Sequence, residues 1–206
     1  MRKIFVTGIG TDVGKTVVST ILVESLKADY WKPIQSGTNI STDTNTVKEL
    51  ISNSKSKFYP EAYSLKEPIS PHAAAALENI EIKLNNISLP KTDNTLIIEG
   101  AGGIMVPLTD NFFMLDLIKK FDAEVVLVIQ NYLGSINHSL LSIEVLKYHQ
   151  LKILGIVFNG DSQPSSERII LEYSKLKLLG RIPKESIIDK EMILKYATNF
   201  ELLNTY

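Results

Sequence analysis

The sequence predicts an α/β fold, a parallel β-sheet with helices on both faces, in a single domain over residues 1–206. Short, continuously apolar runs recur along the chain, and amphipathic stretches separate them. A strand that is apolar at every residue must be buried on both faces, and a parallel sheet between helices provides that burial. The length also fits, because 206 residues with 44% hydrophobic and 22% charged residues are typical of one globular domain.

Apolar runs and helical periodicity place the elements in order. The predicted strands cover residues 4–7, 30–32, 96–99, 125–130, 153–159 and 178–182. The predicted helices lie near residues 14–26, 47–51, 71–78, 140–146 and 191–197. The Ser-, Thr- and Asn-rich stretch 35–45 predicts a loop, and residues 53–70, with two prolines, predict an irregular region.

Ligands of such sheets bind at the carboxyl ends of the strands, so the polar residues just past each strand are the candidates for function. These candidates are residues 7–16, 32–36, 99–103, 131–137 and Asn159.

Composition excludes several classes of function. The formal net charge of -1 gives no electrostatic reason for binding nucleic acid or an anionic membrane. The chain has no cysteine, which excludes disulfides, thiolate nucleophiles and cysteine-bound metals. No apolar run is long enough to span a bilayer, and the N-terminus does not resemble a signal peptide. We therefore expect a cytoplasmic protein.

The strongest motif runs from Gly8 to Thr16, between the first strand and the first helix. Such a loop points backbone N–H groups inward and places a helix N-terminus beneath a phosphate. Lys15 would reach the outer phosphates, and the Thr16 hydroxyl would ligate Mg²⁺. Gly8 lies six residues before Gly14, so the loop is one residue longer than the commonest P-loop. The alternative is a glycine turn with a chance Gly-Lys-Thr.

Three charged residues are candidates to complete a nucleotide site. Glu99 ends an apolar strand where a metal-binding carboxylate would stand; the alternative is a solvated strand-end glutamate. Asp43 is a second metal candidate, or else a cap for the helix that follows it. Lys32 ends a strand at the same rim and would stabilise charge during phosphoryl transfer, or is a solvated lysine.

The chain resembles the dethiobiotin synthetase family, whose members have a P-loop NTPase-like fold. The matching segments occur in the family's order and span residues 5–183. They are residues 6–16, 31–37, 67–72, 98–103 with 106–108, 133–138 and 179–183. The family's longer P-loop also accounts for the glycine spacing.

The resemblance implies roles for the matched residues. Lys32 and Lys15 would be catalytic, and Mg²⁺ would be held by Thr16, Asp43 and Glu99. The implied ATP-binding residues are Asp12, Val13, Gly14, Lys15, Thr16, Val17, Asp43, Glu99, Gly100, Ala101, Gly102, Asn159, Gly160, Pro183, Lys184 and Glu185. The implied substrate-binding residues are Thr11, Lys32, Ser36, Gly134, Ser135, Ile136 and Asn137. Lys184 stands where the family has an aromatic residue, and Asp12 where some members have glutamate.

The reaction that the resemblance implies is the ATP-dependent carboxylation of 7,8-diaminononanoate with CO₂. A carbamate would be phosphorylated, and the second amine would close the ring to give dethiobiotin, ADP and phosphate. The substrate-binding segment 134–137 would come from the partner subunit of a homodimer with shared sites. Expected partners are therefore these small molecules and a second copy of the chain, with neither nucleic acid nor membrane.

Two rival classes share the scaffold. Amidoligases usually carry a glutaminase domain, for which 206 residues without cysteine leave no room. Switch ATPases of the partition or septum-placement kind are the main alternative. They have a lysine early in the P-loop, where this chain has Gly10, Thr11 and Asp12, and the chain lacks a basic amphipathic C-terminal helix. A binding module that has lost catalysis is a third alternative, although every expected polar group is present.

Overall fold

The computed structural model describes residues 1–39, 41–198 and 200. The end of the predicted domain, at residue 206, lies outside the described residues. In this described part of the chain, nine strands form two parallel sheets. The strands are β1 Lys3–Gly8, β2 Asp29–Trp31, β3 Ile34–Ser36, β4 Phe58–Tyr59, β5 Tyr63–Leu65, β6 Leu96–Gly103, β7 Glu124–Gln130, β8 Ile153–Asn159 and β9 Leu178–Ile182. The larger sheet has the order β4-β2-β6-β1-β7-β8-β9, which confirms the predicted α/β class.

Seven α-helices accompany the strands within the residues that the structure describes. They are α1 Lys15–Leu26, α2 Asp43–Leu50, α3 Pro71–Leu77, α4 Met114–Phe121, α5 Ser135–Tyr148, α6 Pro164–Ser174 and α7 Lys190–Ala197. The five predicted helices are all present, but α4 and α6 were not predicted. Within the described part of the chain, no helix combines the length and apolarity needed to cross a membrane.

The region around residues 34–65 differs most from the sequence-based expectation. Residues 34–36 form β3 rather than the start of a loop, and β3 pairs with β5 in a separate two-stranded sheet. The predicted irregular region therefore contains two strands, β4 and β5. Both are only two or three residues long and pair with segments far along the chain, so local hydrophobic periodicity carries little signal for them.

The core consists of two apolar clusters, one on each face of the large sheet. Alternate strand residues belong to opposite clusters, as the period of two requires: Ile4 and Val6 pack with α1, whereas Phe5 packs with α3 and α4. Helix α1 is buried at every residue from 18 to 24, because it also contacts α2 and α7.

The buried Asp29 carboxylate of β2 joins several segments next to the β4 edge of the large sheet. It accepts hydrogen bonds from the Lys57 backbone N–H (2.9 Å), the Tyr59 hydroxyl (2.9 Å), the Thr92 hydroxyl (2.7 Å) and the Asn94 amide (3.1 Å). Burial by itself would raise the pKa of Asp29, but these hydrogen bonds outweigh burial and hold the pKa below its usual range. One side chain thus joins β2, β4 and the segment before β6.

Replacing the Asp29 carboxylate tests how much its hydrogen bonds contribute to stability. Asp29→Asn should lower the free energy of unfolding at pH 7 by about 2–3 kcal/mol, because a buried amide offers one acceptor to several donors. Because the folded-state pKa is lowered, the stabilisation is fully present above the unfolded pKa of about 3.9 and is lost as the pH falls through the folded value. Urea unfolding at pH 7 and at about pH 3 measures both effects.

The exposed Asp122 provides the control. Asp122→Asn should change stability by less than about 0.5 kcal/mol at either pH. Equal losses in the two variants would show that the Asp29 hydrogen bonds contribute nothing specific.

Candidate active site

The loop between β1 and α1 has the backbone geometry of a phosphate site. Asp12 and Gly14 adopt left-handed conformations, with φ of 57° and 93°. Gly14 precedes the first turn of α1, and no side chain caps that turn. The first backbone N–H groups of a helix have no partner inside it, so this helix start offers uncapped donors to an anion.

Lys15 begins α1 and folds back over the loop. Its ammonium donates a hydrogen bond to the Gly10 carbonyl oxygen at 2.9 Å. Burial lowers the pKa of Lys15, and the neighbouring charge of Lys32 acts in the same direction, against the opposing carboxylates of Glu99 and Asp43. Lys15 is therefore held at the loop by its backbone contact, in the position that the sequence predicted for the phosphate-binding lysine.

Four polar side chains from four different elements meet beside Lys15. The Thr16 hydroxyl is 2.8 Å from Asp43 Oδ1 and 2.9 Å from Glu99 Oε1. The Lys32 ammonium donates to Glu99 Oε1 at 3.0 Å and also to Asp43 Oδ2. This corner contains the three predicted magnesium ligands and the predicted catalytic lysine.

Mutual charge keeps Lys32 and Asp43 ionised. Burial would lower the pKa of Lys32, but the charges of Glu99 and Asp43 and their hydrogen bonds outweigh it, so the pKa is raised. Burial would raise the pKa of Asp43, but the Lys32 charge and the hydrogen bonds from Lys32 and Thr16 hold the pKa below its usual range. A lysine with a raised pKa is fully charged at neutral pH.

The placement of Asp43 depends on its neighbours. Thr42, not Asp43, caps α2: its side chain accepts a hydrogen bond from the Asn45 N–H. The Asp43 N–H donates to Gln35 Oε1 at 3.0 Å, and Gln35 is fixed in turn by its bond to the Ser36 carbonyl oxygen. The helix-cap alternative for Asp43 is therefore wrong, and its carboxylate is free to face Lys32.

These groups line a cavity of about 620 Å³ at the carboxyl edge of the sheet. Its wall includes most of the predicted phosphate-loop residues and three of the seven predicted substrate-binding residues, together with a proline-rich segment. The lining residues are Thr11, Asp12, Gly14, Lys15, Thr16, Val17, Lys32, Gln35, Ser36, Asp43, Pro68, Ile69, Ser70, Pro71, Glu99, Ala101, Gly102 and Val106.

Several predicted ATP-binding residues lie next to this wall rather than in it. Val13 is buried, and its carbonyl oxygen accepts a hydrogen bond from Asn159 Nδ2 at 3.1 Å. Gly100 lies against the Phe5 ring, where a side chain would not fit. Gly160 follows β8 and donates to the Ile182 carbonyl oxygen at 2.8 Å. Asn159 thus connects β8 directly to the phosphate loop.

The remaining predicted residues lie further away. Pro183 and Lys184 follow β9, and the Glu185 carboxylate accepts hydrogen bonds from Tyr196 and from Lys195, so it faces α7. Residues 134–137 open α5 after β7. Gly134, with φ of 102°, precedes the helix without a side-chain cap, and the preceding Leu133 is fully exposed. None of these residues lines the cavity formed by this chain.

The structure adds wall residues to which the sequence analysis gave no role. Gln35 lies between Lys32 and Ser36, both of which had assigned roles. Its side-chain oxygen accepts the hydrogen bond from the Asp43 N–H. Residues 68–71 belong to a segment quoted for the family resemblance, so that segment was the available signal. Val106 lies beyond the glycine run and also belongs to a segment quoted for the resemblance, although no role was assigned to it.

Comparisons with known proteins find relatives that match nearly the whole chain. A family model described as an AAA domain matches residues 2–192. An ATP-dependent dethiobiotin synthetase of Christiangramia forsetii is 50% identical over 199 residues, covering 97% of this chain and 96% of that protein. A second, from Cytophaga hutchinsonii, is 52% identical over 198 residues and covers 96% of both.

Solved structures with similar folds are much more distant in sequence. The cell division ATPase MinD of Pyrococcus furiosus has a TM-score of 0.60 and 17% identity, covering 98% of this chain and all of that one. A ParA family ATPase from Chlorobium tepidum has a TM-score of 0.53 and 13% identity, covering 100% of this chain and 93% of that one. Identities this low show the P-loop NTPase-like fold alone.

The glycine at position 14 is open to a direct test. A Cβ there would overlap Asn159 Nδ2, and the left-handed φ adds its own strain. Gly14→Ala should therefore lower the free energy of unfolding by about 2 kcal/mol or more without nucleotide. Urea unfolding checks this.

Gly10→Ala is the matched control, because a Cβ there meets no atom within 4 Å. It should change stability by less than about 0.5 kcal/mol. A tolerated Gly14→Ala would contradict the close packing of the loop on Asn159.

Proposed function

The chain belongs to the ATP-dependent dethiobiotin synthetase family, and on that premise we propose that it joins CO₂ to 7,8-diaminononanoate with ATP and closes the ring of dethiobiotin. The observation that carries the proposal is the corner where Lys32, Thr16, Asp43 and Glu99 meet beside the phosphate loop. An enzyme that transfers a phosphoryl group needs this combination of cations and metal-binding oxygens at one point.

The cavity suits a substrate that is polar at one end and apolar along its chain. Thr11, Lys32 and Ser36 supply polar groups near the phosphate loop, whereas Ile69 and Val106 supply apolar wall. We place the two amines of the substrate at the polar end and the alkyl chain along the apolar wall. The Ser36 hydroxyl is buried without a hydrogen-bond partner among the described residues, so it is available to a ligand.

The proposed reaction has three steps. One amine adds to CO₂ and loses a proton, which gives a carbamate. A carbamate oxygen attacks the γ-phosphorus of ATP, and ADP leaves. The second amine then attacks the carbonyl carbon of the mixed anhydride, phosphate leaves, a proton is lost and the ring closes. Lys15 and Lys32 stabilise the charge on the transferring phosphoryl group and hold the carbamate in line with it.

A magnesium ion fits the donor set of this corner. Two carboxylates and a hydroxyl are oxygen ligands of the kind that Mg²⁺ binds together with substrate phosphates and waters. Thr16, Asp43 and Glu99 would hold the ion, which would neutralise phosphate charge when bound. Within the described residues no group of three or more Asp, Glu, His or Cys side chains offers a site. The proposed ion therefore depends on Thr16 and on the nucleotide as well as on the two carboxylates.

We assign the base of ATP to the ends of β8 and β9. Asn159, Gly160 and residues 183–185 follow these two neighbouring strands, and Asn159 also contacts the phosphate loop. A nucleotide whose phosphates lie over α1 would extend its base toward these strand ends.

The cytoplasm, where ATP is available, is the proposed compartment.

We also propose a homodimer with shared sites. Residues 134–137 do not line the cavity of their own chain, although the uncapped start of α5 suits a carboxylate. Leu133 beside them is fully exposed, and Leu141 and Tyr148 are exposed on the same helix. A second copy that covered these side chains would place its own residues 134–137 near the substrate carboxylate.

The activity is tested by phosphate release from Mg-ATP and bicarbonate, with and without 7,8-diaminononanoate, and by mass spectrometry of the product. We expect release that depends on the diamine and a product with the mass of dethiobiotin. Release that is indifferent to the diamine would instead support a switch ATPase and overturn the proposal.

Two variants serve as controls in this assay. Lys15→Ala should abolish turnover, and Lys32→Ala should lower kcat by about 100-fold or more with the fold intact, because each removes a cation from the transferring phosphoryl group. Full activity in Lys32→Ala would mean that the catalytic assignment is wrong.

Subunit mixing tests the shared site. Lys15→Ala disables the phosphate loop, and Asn137→Asp should disable substrate binding by placing a negative charge near the substrate carboxylate. If residues 134–137 act across the interface, a mixed dimer has one intact site. An equimolar mixture, refolded together, should then recover roughly a quarter of wild-type activity. No recovery, with mixed dimers demonstrated by differential tagging, would place residues 134–137 outside the partner's site.

A further inference from the structure

Tyr30 lies directly behind the corner formed by Lys32, Thr16, Asp43 and Glu99. It is the middle residue of β2, pairs in register with Ile97 of β6, and is fully buried. Glu99 lies two residues beyond Ile97 on the same face of the sheet, which is the diagonal neighbour that a long side chain can reach. The Tyr30 hydroxyl donates a hydrogen bond to Glu99 Oε2 at 3.0 Å.

The two oxygens of the Glu99 carboxylate have separate partners. Oε1 accepts hydrogen bonds from Thr16 and Lys32, whereas Oε2 accepts the bond from Tyr30. The carboxylate is completely buried; Thr16 lies in α1, whereas Tyr30 lies in β2 and Lys32 directly follows that strand. With Oε2 held from behind, the carboxylate has one orientation, in which Oε1 faces the corner.

Packing alone does not require a hydroxyl at position 30. The ring belongs to the apolar cluster on the α1 face and lies against Phe58, with 6.0 Å between the ring centroids. A phenylalanine would fill the same space without burying a hydroxyl, which is costly unless that hydroxyl is hydrogen-bonded. The hydrogen bond to Glu99 therefore accounts for the hydroxyl at position 30.

We propose that Tyr30 is a positioning residue of the active site, whose hydroxyl fixes the Glu99 carboxylate so that Oε1 faces Thr16, Lys32 and a bound magnesium ion. Groups that orient a metal-binding carboxylate in this way affect metal affinity although they touch neither metal nor substrate. The inference rests on the proposed function for the identity of the metal-nucleotide, but the hydrogen bond that carries it is independent of the substrate.

The test compares Tyr30→Phe with Tyr59→Phe. The control residue lies on the adjacent strand β4, and its hydroxyl also donates to a carboxylate, Asp29, at 2.9 Å, away from the corner. Binding of AMPPNP is measured by calorimetry across a range of Mg²⁺ concentrations. Steady-state kcat and KM for 7,8-diaminononanoate are measured in parallel, and circular dichroism checks the fold.

For Tyr30→Phe we expect the Mg²⁺ concentration for half-maximal AMPPNP binding to rise about tenfold and kcat to fall about 10- to 100-fold. Metal-free nucleotide binding and KM for the diamine should change by less than about twofold. Tyr59→Phe should match wild type in all four quantities. A Tyr30→Phe variant with wild-type Mg²⁺ dependence and kcat would overturn the proposal, as would equal effects in both variants.

Two further substitutions keep the test decisive if Tyr30→Phe does not fold. 4-Aminophenylalanine at position 30 retains a donor and should retain the Mg²⁺ dependence, whereas 4-fluorophenylalanine fills the space without donating and should lose it. Equal behaviour of these two would contradict a role for the hydrogen bond. If wild-type protein made no dethiobiotin, the proposed function would fail, but the calorimetric comparison would still decide the role of Tyr30.

Discussion

The buried ion pair between Lys32 and Glu99 is the interaction on which the rest of the active site depends. The register that pairs Trp31 with Ile98 sets these two side chains opposite each other, one residue further on. Burying such a pair costs desolvation that attraction offsets only when the remaining hydrogen bonds are made. Asp43, Thr16 and Tyr30 make them. The ion pair and its hydrogen bonds thus hold β2, β6, α1 and α2 together at the site.

This arrangement places two lysines beside two carboxylates before any ligand binds. Lys15 and Lys32 face Asp43 and Glu99 within one cavity wall. In the proposed reaction, a magnesium-bound nucleotide would bring cationic and anionic groups of its own, with Lys15 and Lys32 already placed for its phosphates and the two carboxylates for its metal. The site is therefore organised in advance for the charges of the reaction, which lowers the reorganisation that catalysis requires.

The parts predicted best from sequence were those with a local signal. Continuously apolar strands, the loop from Gly8 to Thr16 and the strand-end residues Lys32 and Glu99 all follow from short patterns. The strand pairing of β3 with β5, the cap at Thr42 and the Tyr30 hydrogen bond depend on residues brought together only by folding. Helix α4 departs from this rule. Its amphipathic pattern and the hydrogen bond from the Phe113 N–H to Asp116 are local, yet the helix was not predicted.

The central position of β1 has a consequence for the newly made chain. Residues 3–8 leave the ribosome long before their two neighbouring strands, residues 96–103 and 124–130. At roughly 5–20 residues per second, the strand that precedes the phosphate loop waits on the order of 10 s for both partners. During translation the backbone N–H and C=O groups of β1 lack their sheet partners and its apolar side chains are uncovered, so the segment that leads into the phosphate loop stays accessible to chaperones for that time.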